Sequence, residues 1–163
     1  MKPEKYLFVP SKMDYVKGKR PDVDCILCSI IQKDEQVNRL VVYDTEMFII
    51  SLNLFPYTVG HLFIFPKRHI EHLCELTEDE YSELFQLTKK CIKVLDEVYE
   101  PEGYNIGWNL GEASGATIPH IHQHIVPRYI NELGFIDIIG KTKIIVEMPE
   151  KTYGVLKEKL NND

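Results

Sequence analysis

The chain is built from short apolar runs separated by polar, proline- or glycine-containing breaks, and its apolar spacing changes from strand-like to helical near the middle. Runs at Arg39 to Tyr43, Met47 to Ser51 and His61 to Phe65 are rich in β-branched and aromatic residues. The segments between them suit hairpin connections, so the pattern predicts antiparallel strands. Thr77-Glu78-Asp79-Glu80 then has the spacing of a capping box, which satisfies otherwise orphaned backbone N–H groups at a helix start. Behind it Tyr81, Leu84, Phe85, Thr88, Ile92 and Leu95 recur at helical intervals up to Pro101, predicting one long helix with its apolar stripe against a sheet. Tyr104, Ile106 and Trp108 alternate with Asn105, Gly107 and Asn109, the period of a strand. A glycine-containing loop from Leu110 to Pro119 leads into His120-Ile121-His122-Gln123-His124-Ile125-Val126-Pro127. Near the C-terminus, Lys143 to Glu147 suits a strand and Glu150 to Leu160 a short helix whose weak apolar face is broken by Gly154. Several short antiparallel strands around one long helix make an α+β pattern.

Composition narrows this to one domain. A chain of 163 residues with 44% apolar residues can bury one good core and is short for two. The expected divisions are an extended N-terminal arm over 1–22, a folded domain over 23–130, and a C-terminal extension over 131–163 packed on the same domain. The net charge of -6 opposes wrapping by a polyanion such as nucleic acid, although Lys67, Arg68, Arg128, Lys141 and Lys143 could form a local basic patch that meets phosphates. No stretch approaches the roughly 20 apolar residues that span a bilayer, and no leader is evident, so a soluble cytoplasmic protein is expected, with no membrane partner. Of the four cysteines, Cys25 and Cys28 form a close pair while Cys74 and Cys91 are isolated. That is not a disulfide framework, and the isolated pair are expected in the core.

The histidine segment carries the chemistry. On a strand successive side chains point to opposite faces, so His120, His122 and His124 line one face while Ile121 and Ile125 face the core. Neighbouring imidazoles on that face lie about 6 to 7 Å apart, a spacing that suits a phosphate chain. Two other interpretations of the residues stand beside this one: exposed strand histidines with no chemistry, and a metal-hydrolase site in which spaced histidines ligate zinc or iron.

HIHQHIV resembles the His-x-His-x-His-x-x signature of the histidine-triad nucleotide hydrolases and transferases, with Gln123 standing where the pattern has an apolar residue. The block Leu52-Asn53-Leu54-Phe55-Pro56-Tyr57-Thr58-Val59-Gly60-His61, followed by Phe65-Pro66-Lys67-Arg68-His69, is similar to the family's other motif, and the likeness runs from about Cys25 to Tyr129. The resemblance implies an antiparallel sheet packed against helices, commonly continued across a homodimer. It implies that His122 is the nucleophile that attacks an α-phosphorus, and that His124 and His61 contact the phosphate or the leaving oxygen. It places Asn53 at ribose hydroxyls, Asn109 near the α-phosphate, and Ser114, Gly115, Ala116 and Thr117 in a phosphate-contact loop. Ala116 stands where many relatives have glutamine. Ile26, Leu52 and Leu54 are candidate walls for the base, with ordinary core as their other interpretation, and Asn53 could instead stabilise a turn.

Cys25-Ile26-Leu27-Cys28 has the two-residue gap that lets both thiolates reach one tetrahedral ion, but the pair alone is incomplete. Two buried small hydrophobes would look the same, and a redox role would want a thioredoxin-like pattern that is absent. Zinc-containing members of the family, and the related galactose-1-phosphate uridylyltransferases, complete such a site with residues that match His69 and His120, with His72 a nearby competitor. The implied cofactors are a structural zinc and a magnesium ion bound with the nucleotide. Leu52-Asn53-x-x-Pro56-Tyr57, Asn109-Leu110-Gly111 and the ending at Arg128 look closest to the diadenosine polyphosphate hydrolase and phosphorylase branch. The implied substrate is therefore a nucleotide or dinucleoside polyphosphate. A nucleoside phosphoramidase of the same family and a zinc-stabilised nucleotide-binding module without turnover are the alternatives.

Overall fold

The computed structural model describes residues 21–133 and 145–162. Nearly all of the predicted arm, and Lys141 and Lys143, lie outside the described residues. The described chain forms strands β1 (Val41–Asp44), β2 (Phe48–Leu52), β3 (Leu62–Pro66), β4 (Gly103–Gly107) and β5 (Gln123–Arg128). Its helices are α1 (Ile26–Gln32), α2 (Glu78–Tyr99) and α3 (Pro149–Asn162). The sheet order is β1-β2-β3-β5-β4, with every neighbouring pair antiparallel.

Both faces of the central strands are covered, which is why β2 is buried at every position. Phe48, Ile50 and Leu52 of β2, Leu62 and Ile64 of β3, and Ile121 and Ile125 pack under α2 and α3, against Leu84, Leu87, Cys91, Leu95, Leu156 and Leu160. The alternate positions Ile49 and Phe65 face the other way and join Leu27, Ile30 and Val37 under α1. Each such side chain contributes roughly 1.5–3 kcal/mol by leaving water, so a one-residue slip, which would exchange the two faces, is strongly disfavoured. Gln123 shares the inward face with Ile121 and Ile125, and its amide sits 2.6 Å from the Thr88 hydroxyl, which also donates to the Leu84 carbonyl. A polar residue is therefore accommodated in the family pattern by a partner on α2.

The capping box at Thr77 forms as expected: Glu80 N–H donates to the Thr77 hydroxyl and Thr77 N–H donates to the Glu80 carboxylate. The apolar stripe of α2 is rotated from the predicted one. Leu84, Leu87, Cys91, Val94 and Leu95 are buried, whereas Phe85 is 74% exposed. The buried arc runs from Val94 through Leu84 to Leu95, and Phe85, about 100° round the helix from Leu84, falls outside it. Helix α1 was not anticipated, because it is short and opens at Cys25 without a side-chain cap. Cys74 is exposed rather than in the core, whereas Cys91 is fully buried. The expected strand over 143–147 is not formed at 145–147, and 143–144 lie outside the described residues. The C-terminal helix does pack on the domain, with Leu156 and Leu160 in the core and Asn161 Nδ2 donating to the Val42 carbonyl.

The three described residues of the expected basic patch are each paired with a carboxylate. Lys67 pairs with Asp44, Arg68 with Glu80, and Arg128 with Glu132.

The turn between β2 and β3 closes at Gly60, whose φ of +81° is strained for any residue with a Cβ. A Cβ there would also sit 3.0 Å from the Leu95 side chain and 3.2 Å from Pro127. Gly60→Ala is expected to lower the unfolding free energy by about 1–3 kcal/mol, measured by urea denaturation. Unchanged stability would contradict this packing.

Candidate active site and metal centre

The segment before β5 keeps the strand alternation without being paired as strand, since β5 begins only at Gln123. One backbone bond, from Ile121 N–H to the Ile70 carbonyl at 2.7 Å, stitches this lead-in to the loop after β3. Ile121 and Ile125 enter the core as expected, and His122 and His124 turn to the opposite face. There the imidazole centroids of His122 and His124 lie 4.9 Å apart, and His61, just before β3, comes within 5.2 Å of His124.

The hydrogen bonds fix which nitrogen of each ring carries a proton. Tyr57 N–H donates to His61 Nδ1 at 3.1 Å, so His61 is protonated on Nε2. His61 Nε2–H then donates to His124 Nδ1 at 3.0 Å, which leaves His124 protonated on Nε2; the Asn109 side-chain amide lies 3.4 Å from that nitrogen and accepts from it with its oxygen turned to the ring. His122 has the opposite tautomer: its Nδ1–H donates to the His120 carbonyl at 2.9 Å, and no described hydrogen bond engages its Nε2 lone pair. Burial holds all three rings neutral. It pushes His61 down to about 3, aided by repulsion from His124 and His122, and His124 down to about 4, aided by His122. His122 is also lowered by burial, opposed by its bond to the His120 carbonyl. The result is a neutral imidazole with an unengaged Nε2 lone pair beside a second neutral imidazole that presents an N–H.

Two aromatic residues complete the face: Phe63, which the sequence did not single out, and Tyr57, named there only as part of the family motif. Phe63 is the cross-strand partner of His124 and meets the rings of His61, His122 and His124 at 4.8–5.3 Å. Tyr57 is half exposed and stacks on His124, with rings 6.0 Å apart and 10° from parallel. The period-2 register could have found Phe63, because it alternates with the inward-facing Leu62 and Ile64.

The expected nucleotide contacts are placed unevenly. Asn53 is buried beside the site, with Nδ2 donating to His61 Nδ1 at 3.1 Å and Oδ1 accepting from Phe55 N–H at 3.0 Å. It thus stabilises the turn and orients His61. Asn109 lies against His124. Ser114, Gly115, Ala116 and Thr117 follow or end the short 3₁₀ turn Glu112–Ser114, and the amides of the first three donate to the loop's own carbonyls at Gly111 and Glu112. Ile26 packs on the α1 side of the sheet, Leu54 is half buried, and Leu52 is not with them, being buried in the core under α2 and α3.

Cys25, at the start of α1, and Cys28, in its first turn, meet His69 and His120 so that all four ligand atoms lie within 4.8 Å of one another. The sulfur–nitrogen separations are 3.1 Å for Cys28 with His69 and 3.6 Å for each cysteine with His120. Tetrahedral zinc with ligands at about 2.3 Å (sulfur) and 2.0–2.1 Å (nitrogen) would set such pairs about 3.5 Å apart. His120 Nε2–H donates to the Pro66 carbonyl at 2.9 Å, which directs the Nδ1 lone pair at the cysteines, the orienting contact that metal-binding histidines use. These four residues could hold a metal ion, and His69 rather than His72 belongs to the group.

This fold, with its histidine face and neighbouring cysteine–histidine cluster, defines a class: residues 34–131 match the HIT domain model, and the chain belongs to the histidine-triad family. A Mycobacterium tuberculosis relative named AP-4-A phosphorylase is 40% identical over 118 residues, covering 72% of this chain and 60% of the relative. A Schizosaccharomyces pombe relative named asymmetrical bis(5'-nucleosyl)-tetraphosphatase is 36% identical over 92 residues, covering 56% of this chain and 50% of the relative. The chain therefore spans well under two thirds of the length of either relative. Among solved structures, a zinc-bound histidine-triad protein from Mycobacterium smegmatis superposes with a TM-score of 0.70 at 26% identity, over 85% of this chain and 94% of the other.

Zinc added to metal-free protein is expected to bind at one ion per chain and raise the melting temperature. Cys28→Ser or His69→Ala should weaken that binding at least about tenfold, and His72→Ala should not. Equal loss in His69→Ala and His72→Ala, by competition with a colorimetric chelator, would contradict the assignment.

Proposed function

We propose that this protein cleaves a diadenosine polyphosphate, or a similar nucleotidyl substrate, at the α-phosphorus through a covalent nucleotidyl-histidine intermediate on His122. The observation that carries the proposal is the 2.9 Å bond from His122 Nδ1–H to the His120 carbonyl, which leaves the Nε2 lone pair available for attack. In the first step the His122 Nε2–phosphorus bond forms and the bond from phosphorus to the leaving oxygen breaks. His122 becomes cationic, and the carbonyl on its Nδ1–H stabilises that charge. His124 Nε2–H donates a hydrogen bond to the leaving oxygen, which departs with the bonding electron pair as a polyphosphate anion, while His61 holds the other side of His124. In the second step water or inorganic phosphate attacks the same phosphorus, and His122 departs as neutral imidazole. Where water is the acceptor, its proton is released to solvent.

Charge grows on the non-bridging oxygens during both steps, so donors already in position supply much of the acceleration. Asn109 and the Ser114 to Thr117 loop are the proposed donors, with the loop's internally bonded amides exchanging partners when phosphate arrives. Asn53 reaches the ribose through its remaining amide hydrogen, and Ile26 and Leu54 flank the base. Zinc held by Cys25, Cys28, His69 and His120 would supply no step of the reaction. Its contribution is to fix His120, whose carbonyl holds the nucleophile. Magnesium, where present, arrives with the polyphosphate and offsets its charge. A second copy of the chain would continue the sheet at β4, whose outer edge meets no strand among the described residues. A cytoplasmic setting fits reduced cysteines at the metal centre.

Incubating the protein with diadenosine tetraphosphate, with and without inorganic phosphate, and resolving the products by anion exchange tests the proposal. AMP plus ATP in both conditions is the hydrolase outcome, and ADP plus ATP that depends on phosphate is the phosphorylase outcome. His122→Ala is expected to lose at least about 10³-fold in turnover. An intact substrate, or near-parental turnover by His122→Ala, would overturn the mechanism.

A further inference from the structure

A cleft of about 480 Å³ opens on the histidine face beyond His124, on the side away from the metal centre. Neither the nucleophile nor the metal cluster uses it. Its volume falls in the range of small-molecule sites, roughly 300–1,000 Å³. His124, Val126 and Arg128 of β5 run along it, with Asn105 and Gly107 of β4 beside them and Tyr57 and Glu132 at its margins. From His124 to Arg128 the strand advances about 13 Å, room for an extended ligand rather than a single small group.

Three features show what chemistry this space accepts. Gly107 is the cross-strand partner of His124, and a Cβ built on it meets no atom within 4 Å, so the missing side chain leaves the cleft open beside the catalytic ring. Tyr57 offers an aromatic ring that is 50% exposed at the cleft margin while stacked on His124. At the far end Arg128 is held by Glu132, with Nε donating to the carboxylate at 3.0 Å, and by the Asn105 side-chain oxygen. A planar guanidinium held by one carboxylate is a preformed phosphate ligand that an incoming anion can win from that carboxylate.

We infer that this cleft is the leaving-group subsite, which holds the departing nucleoside polyphosphate and so selects dinucleoside polyphosphates over substrates with small leaving groups. The inference rests on the assignment of His122 as nucleophile and His124 as the donor to the leaving oxygen, which puts the departing group on the His124 side. Gly107 provides the room, Tyr57 the surface for the second base, and Arg128, exchanging Glu132 for phosphate oxygens, the charge.

The test compares kcat/KM for diadenosine tetraphosphate and for adenosine 5'-phosphoramidate, whose leaving group is ammonia and does not reach the cleft. Gly107→Val, whose Cβ meets no described atom within 4 Å, is expected to reduce kcat/KM for the tetraphosphate at least about tenfold and for the phosphoramidate less than about threefold. Gly107→Ala should fall between parent and Gly107→Val. Arg128→Gln should raise KM for the tetraphosphate with little change in kcat. An equal loss on both substrates, or no loss on either, overturns the subsite while leaving the nucleophile assignment intact. A parent protein inactive on both substrates overturns the proposed function, and the subsite with it.

Discussion

The arrangement of the site depends on the hydrogen bond from His122 Nδ1–H to the main-chain carbonyl of His120. It selects one tautomer, places the lone pair on Nε2, and joins the reactive ring to the residue that belongs to the metal cluster. His120 is itself held on three sides: its Nε2–H donates to the Pro66 carbonyl, its Nδ1 faces Cys25 and Cys28, and its chain neighbour Ile121 donates to the Ile70 carbonyl. The carbonyl that orients His122, the proposed nucleophile, is therefore fixed by α1, the loop after β3 and the lead-in to β5 together. A metal ion bound at the cluster would tighten the same constraint from a distance, without touching substrate.

Burial makes the constraint chemically useful. An exposed histidine is partly protonated near neutral pH, but His61, His122 and His124 are all lowered from the ordinary imidazole range by desolvation. The site is consequently a row of neutral rings whose proton positions come from the backbone at Tyr57 and His120. The cations nearby are paired with carboxylates, so polyphosphate recognition would come from directed N–H donors and from exchange of the Arg128–Glu132 pair rather than from a standing positive patch.

Much of this was legible in the chain. The alternation of His120, His122 and His124 with Ile121 and Ile125 put the imidazoles on one face, and that arrangement survives although β5 pairs only from Gln123. The family likeness, through the Pro66-Lys67-Arg68-His69 spacing, pointed to His69 rather than His72 as the partner of the cysteine pair, and His69 is the one that meets it. Features set by tertiary contacts were not legible. The rotation of α2 that buries Leu87 and exposes Phe85 depends on where α3 and the sheet press against it. Helix α1 has too few residues for a periodic signal. The pairing of Lys67 with Asp44 and of Arg68 with Glu80 depends on acidic partners brought close by the fold. Leu52 and Ile26 look alike in sequence, yet the pleat puts Leu52 under the helices and Ile26 on the other side of the sheet.

The most direct test of the account is the tautomeric state of the three histidines, read from long-range ¹⁵N–¹H correlations of the imidazole rings at neutral pH. The account predicts His122 protonated on Nδ1, and His61 and His124 protonated on Nε2. A His122 ring protonated on Nε2 would have its nucleophilic lone pair facing the His120 carbonyl, and would contradict the account at its foundation.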